Sequence, residues 1–171
     1  MVKKHTQFNG RKGTQSAVML PLSGELKSNY PEIKRVTRLD WGRNHGLMVG
    51  NTKFQKIGTY VDSDFLKMFT FPLVKGSIET ALKEPNSIVL TESLAKILFG
   101  NADPLGKIVR IDNLYNVQVT AIAKDVPKNS TLQFDYLAPY EFLMANESWR
   151  REHATNWGNN FLRTAVEMRE G

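Results

Sequence analysis

The apolar positions of this chain recur with two periods, and the switches between them sketch its elements. Val117, Val119, Ala121 and Ala123 alternate with Asn116, Gln118 and Thr120, the two-residue period of a half-buried strand. Together with residues 107–111 this segment predicts a hairpin around Asp112-Asn113. Upstream, Leu94, Ala95, Leu98 and Phe99 share one helical face. Thr91 stands where an N-cap belongs, Glu92 in the first turn, and Gly100 where a left-handed residue ends a helix. Residues 87–90 read as a short apolar strand before that helix, and Asp103-Pro104-Leu105-Gly106 as a tight turn after it.

The rest of the chain follows the same rules. Residues 1–15 are polar and predict a flexible lead or an edge strand. Ser16 is placed to cap a helix running to about Asn29, with Leu22, Leu26 and Tyr30 on one face; Pro21 is tolerated only near the first turn, so a regular helix from Leu20 is the alternative start, and Pro31 ends it. Residues 36–41 and 54–61 read as strands, and Gly42, Gly46 and Gly50 between them as a loop or loose hairpin. A short helix follows over 64–69, capped by Asp62 or Ser63, with Phe65, Met68 and Phe69 on its buried side. Phe71-Pro72-Leu73 forms an apolar plug and Gly76 turns the chain. Phe65, Phe69, Phe71, Leu94, Leu98 and Phe99 are expected to make one core. Beyond the loop at 125–130, a strand over 132–136, a helix over 141–149, a polar loop over 150–160 and a last strand over 161–168 complete an α+β domain.

Composition narrows the class. The 171 residues, 41% hydrophobic and 23% charged, are enough for a real core. No run approaches the eighteen or so apolar residues of a membrane span, and Met1-Val2-Lys3-Lys4 leads into His5-Thr6-Gln7 rather than an apolar leader. Without cysteine there can be no disulfide, thiolate metal site or cysteine nucleophile. The net charge of +6 lies in residues 1–50, where nine Lys and Arg face three acidic residues, while the remainder balances. Such a segment suits anionic headgroups or an acidic partner, although charge of this kind is more often a solvated surface. The basic residues are not interleaved with aromatics and no recognition-helix motif occurs, so nucleic acid is not expected as a partner.

Chemistry is sparse. His5, His45 and His153 are isolated in sequence and read as surface residues. Gly42, Gly46 and Gly50 have no following Lys-Ser or Lys-Thr and make no phosphate loop. Asp62 and Asp64 read as helix-capping carboxylates rather than an acid–base pair. Of Trp41, Trp149 and Trp157, one or two are expected in the core, and an exposed one would suit a partner or a membrane interface. No catalytic, cofactor-binding or metal-binding residue is expected, and no partner-binding residue is singled out.

Four phrases stand in a fixed order: residues 60–76 (YVDSDFLKMFTFPLVKG), 85–100 (PNSIVLTESLAKILFG), 103–107 (DPLGK) and 117–127. In this order and spacing the chain resembles the periplasmic core domain of bacterial permeases of the MacB/FtsX type, the membrane subunits of one class of ABC transporter, in wording most like those of Bacteroidetes. The resemblance covers about residues 16–171 and includes a first porter-like helix around residues 20–33 and a return strand over 157–171. It implies a two-lobed domain: a discontinuous, membrane-proximal porter-like lobe from 1–50 and 126–171, cut short here, and an inserted sabre-like lobe from 51–125. It also implies an inner-membrane parent with this domain on the periplasmic side, and no enzyme activity or cofactor. The implied role is mechanical, relaying ATP-driven movement to an extracytoplasmic partner or substrate for export, efflux or mechanotransmission. The implied partners are a second permease subunit, a cytoplasmic ATPase subunit and a periplasmic adaptor, with the membrane surface a further candidate. The rival reading is a free-standing extracytoplasmic ligand-binding module.

Overall fold

The computed structural model describes residues 1–170. Its elements, in chain order, are β1 (Lys4–Phe8), β2 (Arg11–Gln15), β3 (Val18–Met19), α1 (Leu22–Asn29), β4 (Ile33–Leu39), β5 (Arg43–Val49), β6 (Thr52–Val61), α2 (Phe65–Met68), β7 (Leu73–Lys75), β8 (Ser87–Thr91), α3 (Glu92–Phe99), β9 (Ile108–Ile111), β10 (Tyr115–Ala123), β11 (Tyr136–Pro139), α4 (Tyr140–Asn146), α5 (Ser148–Glu152) and β12 (Asn160–Met168). The α+β expectation holds.

The main sheet closes on itself. β6 pairs with β5, β5 with β9, β9 with β10, β10 with β8, β8 with β11, and β11 returns in parallel to β6. Closure leaves these strands no free edge inside the ring. One hydrophobic cluster draws on all six strands, through Leu47, Tyr60, Ile88, Leu90, Val109, Ile111, Val117, Val119, Tyr136 and Ala138, and so fills the interior. Leu94 and Ala95 of α3 and Phe142 and Leu143 of α4 join it. The alternation read from Val117 to Ala123 is therefore real, but with a shift in register between Val119 and Ala121. Past that shift Ala121 and Ala123 face a second cluster outside the ring, with Leu39, Val61, Phe65, Leu66, Val89 and Leu137. The six residues expected to share one core are split by this wall. Phe65, Phe69 and Phe71 pack outside it, and Leu94, Leu98 and Phe99 pack with the interior.

A flange leaves the ring at one point. β4 touches β6 through Leu39 opposite Val61, then pairs with β12, and β12 with β3. Near the other end, Val2 donates its backbone N–H to the Thr164 carbonyl at 2.7 Å, so both ends of the chain meet on β12. β1 and β2 form a hairpin of their own, standing apart from the main sheet.

Several expectations need correcting. The polar lead is that hairpin, turned at Asn9-Gly10 with φ of 48° and 75°, the left-handed pair of a type I′ turn. Ser16 caps no helix; α1 begins after Pro21, whose fixed φ suits a helix start. The segment from Gly42 to Gly50 holds a full strand, β5, because pairing on both sides with β6 and β9 satisfies its backbone despite the glycines. The helix expected over 141–149 breaks at Glu147, where φ −108° and ψ 104° are extended. The strand expected over 132–136 starts only at Tyr136. In α3, Thr91 has the backbone of an N-cap but makes no side-chain cap bond. Asp125 accepts the Ser93 N–H at 3.0 Å instead, from a segment 32 residues away.

Candidate functional site

The most organised polar chemistry lies where flange, ring and helices meet. Asp40 follows the last residue of β4 and donates its backbone N–H to the Tyr60 carbonyl at 2.9 Å. This fixes its carboxylate, wholly buried, at the point where β4 leaves the ring. The break at Glu147 turns α5 so that Arg150, 1% exposed, reaches the same point. Its Nη2 donates to Asp40 Oδ2 at 3.0 Å, its Nη1 to the Tyr140 hydroxyl at 2.9 Å, and its Nε to Glu147 Oε2 at 2.5 Å. Arg163 on β12 donates to the Asp40 backbone carbonyl at 2.9 Å, and Arg43 at the start of β5 lies 3.4 Å from Asp40 Oδ2. One guanidinium thus ties together the end of β4, the first residue of α4 and the α4–α5 break.

A second ion cluster adjoins it. Arg38 binds both Asp62 carboxylate oxygens, through Nε and Nη2, and also Glu141 Oε1 at 2.6 Å. Its guanidinium lies 4.3 Å from the centre of the Tyr140 ring, while Arg150 bonds the hydroxyl of the same residue. Asp62 therefore does not cap α2. Its carboxylate also accepts the Arg38 backbone N–H at 2.6 Å, and Asp64 makes no side-chain cap bond either. A long-range cation outcompetes the local cap because its bidentate, charge-assisted bonds are stronger than a neutral N–H contact. Arg38, Asp62, Tyr140 and Glu141 line an open cleft of about 410 Å³ together with Ser23, Lys27, Asp64 and Lys83.

The electrostatics suit fixing positions rather than moving protons. Burial works against the Arg150 charge, but Tyr140, Asp40 and Glu147 outweigh it and raise its pKa above the ordinary arginine value. The balance is the same for Arg38, where burial is overcome by Asp62 and Glu141. Burial pulls the Arg163 pKa down, with only Asp40 opposing. Burial raises the phenols of Tyr60, Tyr136 and Tyr140. Near neutral pH these groups hold one protonation state and serve as fixed donors and acceptors.

The three histidines do not converge, and among the described residues no group of three His, Asp or Glu is placed to hold a metal. His5 is exposed, but His45 is not a free surface residue. Its Nδ1 lies 2.6 Å from Asp112 Oδ2 and its ring packs edge-on to Tyr60, because β5 carries it on the same face as Leu47. No tryptophan is in the core: Trp41, Trp149 and Trp157 are 42%, 46% and 50% exposed. Trp41 donates its Nε1–H to the Phe161 carbonyl at 2.9 Å, and Trp149 packs against the Phe161 ring and stacks on His153. The sequence reading missed Asp40, Arg150, Glu147 and Tyr140 altogether. The one local hint is Arg150 within a stretch that reads as solvated, and no spacing rule links it to Asp40.

The chain matches the model of the MacB-like periplasmic core domain over residues 2–171. It belongs to that family. A permease-protein domain from Porphyromonas gingivalis superposes with a TM-score of 0.80 at 24% identity, covering 99% of this chain and 71% of that one. The periplasmic region of MacB from Actinobacillus actinomycetemcomitans gives 0.67 at 19% identity, with 90% and 66% covered. The extracellular domain of the ABC-type transporter YknZ from Gram-positive bacteria gives 0.65 at 16%, with 91% and 75% covered. No individually curated protein matches by sequence. At these identities the structural likenesses establish the fold, and the family match establishes an extracytoplasmic domain of an ABC transporter permease. That family is a class of transporter domains, not of enzymes. No helix of the described residues is long and apolar enough to cross a membrane.

Proposed function

We propose that this MacB-like domain is a mechanical relay. ATP-driven movement of the permease is passed through it to an extracytoplasmic partner or substrate, in efflux, export or mechanotransmission from the inner membrane. A second permease subunit, a cytoplasmic ATPase and a periplasmic adaptor are its partners in this reading, and a bilayer surface would suit its basic N-terminal segment. The observation that carries the reading is the Asp40–Arg150 clamp, a buried, directional ion pair at the point where β4 leaves the ring. A relay must move as a body, and a bond with fixed geometry adds direction to the apolar packing that flange and ring already share. We also propose the two-lobe division, with the ring as the inserted, sabre-like lobe and the flange as the porter-like one. β5 and β11 pair into the ring, so the boundaries proposed from the pairing lie near residues 40–42 and 139–140 rather than at 50 and 125.

The chain has no cysteine, so a cysteine introduced into this domain is the only one the domain carries. Leu114, 74% exposed in the β9–β10 turn, is suitable. In the full-length permease dimer with its ATPase, spin labels at Leu114→Cys should change their mutual distance between the nucleotide-free and ATP-trapped states. An unchanged distance would reject the relay. The rival reading, a ligand-binding module, draws on an open cleft of about 500 Å³ lined by Phe69, Phe71, Pro72, Lys124 and Leu132. A ligand-dependent rise in the melting temperature of the isolated chain, abolished by Phe71→Ser, would favour it.

A further inference from the structure

The positive charge of the first fifty residues is not spread evenly once the chain is folded. Lys34 and Arg35 are both held by Glu167, at 2.8 and 2.7 Å, Arg38 by Asp62 and Glu141, and Arg43 lies near Asp40 and Glu147. Lys27 on α1 is exposed and meets no carboxylate among the described residues, and the other charges left over are on the β1–β2 hairpin and its lead. Lys3, Arg11 and Lys12 are exposed and meet no carboxylate among the described residues, while Lys4 Nζ reaches only the neutral Asn160 Oδ1, at 3.3 Å. Residues 1–24 contain no Asp or Glu at all. The charge complementarity of this projection is therefore to something outside the chain.

A second observation adds to it. The hairpin is rooted on β12, through Val2 to Thr164 and Lys4 to Asn160. The same stretch of β12 carries Phe161, around which Trp41 and Trp149 gather half-exposed, and it follows directly on the loop that holds Trp157. The tryptophans gather near the root of the hairpin, next to Lys4, while Arg11 and Lys12 stand at its turn, and indoles together with basic side chains match the headgroup layer of a bilayer, where tryptophan settles at the interface and lysine and arginine meet lipid phosphates. An acidic protein surface would engage the charges too, and an exposed indole suits either partner.

We propose that the β1–β2 hairpin and the adjoining tryptophans form a peripheral docking face for an anionic phospholipid bilayer. The proposal rests on the reading of the domain as one that stands beside a membrane. Docking here would hold the flange against the lipid, so that movement entering the domain is taken up by the ring rather than lost in tilting of the whole.

The test is co-sedimentation of the chain with vesicles of phosphatidylcholine alone and of phosphatidylcholine with phosphatidylglycerol, with tryptophan emission followed in parallel. Binding should be confined to the anionic vesicles, shift the emission to the blue, and fade as salt shortens the Debye length to about 8 Å at physiological ionic strength. Neutralising Lys3, Arg11 and Lys12 to Gln should weaken binding about fivefold per residue, on the order of a hundredfold together. Lys128→Gln, the same loss of charge as any one of these at an exposed site elsewhere, should leave it nearly unchanged. Equal binding to both vesicle types, or equal loss in the Lys128 control, would overturn the proposal. Binding to polyglutamate as tight as to anionic vesicles, with no emission shift on either, would also overturn it and assign the hairpin to an acidic protein. Failure here leaves the spin-label experiment untouched, because that experiment reads nucleotide-driven motion in the full-length permease.

Discussion

The ring interior and the junction beside it are both sealed from water, and they are sealed by different means. In the interior, Leu47, Ile88, Leu90, Val109, Ile111, Val117 and Val119 meet around Tyr60 and Tyr136, and no single contact sets the arrangement. Apolar burial is non-directional and roughly proportional to area, so similar volumes can replace one another. At the junction, Asp40 and Arg150 are just as buried, yet their arrangement depends on three guanidinium bonds in fixed directions. A buried ion pair adds little net stability, because desolvation offsets attraction, but losing one partner strands the other charge. The ring should therefore forgive conservative changes that the junction does not.

The largest effects test that contrast directly. Arg150→Ala should lower unfolding free energy by ~3–5 kcal/mol, as measured by urea denaturation, by leaving the buried Asp40 with only the half-exposed Arg43, 3.4 Å away, as counter-charge. Arg150→Lys should be nearly as harmful, since lysine lacks the planar fork that reaches Asp40, Tyr140 and Glu147 together. Leu47→Ala, in the ring interior, should also lose ~2–5 kcal/mol, but the volume-conserving Leu47→Met should lose under about 1.5 kcal/mol. If Arg150→Lys proves as mild as Leu47→Met, the contrast collapses. The double change Asp40→Leu with Arg150→Met should recover most of the single loss, because it removes both charges. A double variant no more stable than Arg150→Ala would mean that shape, not charge, governs the junction.

A smaller effect marks where the interior stops being forgiving. A Cβ on Gly58 would lie 2.0 Å from Cζ of Tyr136, whose fully buried ring covers the glycine across the β6–β11 pairing. Gly58→Ala should cost ~1–3 kcal/mol through overpacking, and Tyr136→Phe in the same background should not relieve it. Relief by the loss of the hydroxyl alone would put the clash elsewhere. Asp125→Ala should cost about 1 kcal/mol, the usual value of a helix cap, seen as a lower urea midpoint, whereas Thr91→Val should cost less because the Thr91 side chain makes no cap bond. The smallest effect is electrostatic and lies on the flange. Hydrogen bonds from Lys34 and Arg35 hold the Glu167 carboxyl below its ordinary value of 4.5. A carboxylate depressed in the folded state stabilises above its unfolded pKa and loses that contribution as pH falls through the folded value. The stability difference between the native chain and Glu167→Gln should thus be present at pH 7 and shrink below about pH 4.5. A difference constant down to pH 3 would count against this ion pair.

The elements that local periodicity dictates were legible without coordinates. α3, β8, β10 and the turn at Asp112-Asn113 follow from apolar spacing and turn chemistry within a few residues of one another, and the ordered phrases from Tyr60 to Pro127 carried the family. The Asn9-Gly10 hairpin carried a turn signal of its own but was missed, because its polar flanks give no apolar alternation to mark two strands. What only the tertiary structure decided is everything that depends on partners far apart in the chain. β5 is a strand because β6 and β9 lie on either side of it, despite Gly42, Gly46 and Gly50. Asp62 answers to Arg38 instead of α2, and α3 is capped by Asp125 instead of Thr91. The clamp joins residues 110 apart, Asp40 and Arg150. Local sequence determines φ, ψ and which face is apolar, because those depend on near neighbours. Closure of the ring and the pairing of buried charges depend on loop closures whose outcome is set by the whole core, and no window of sequence contains both ends of them.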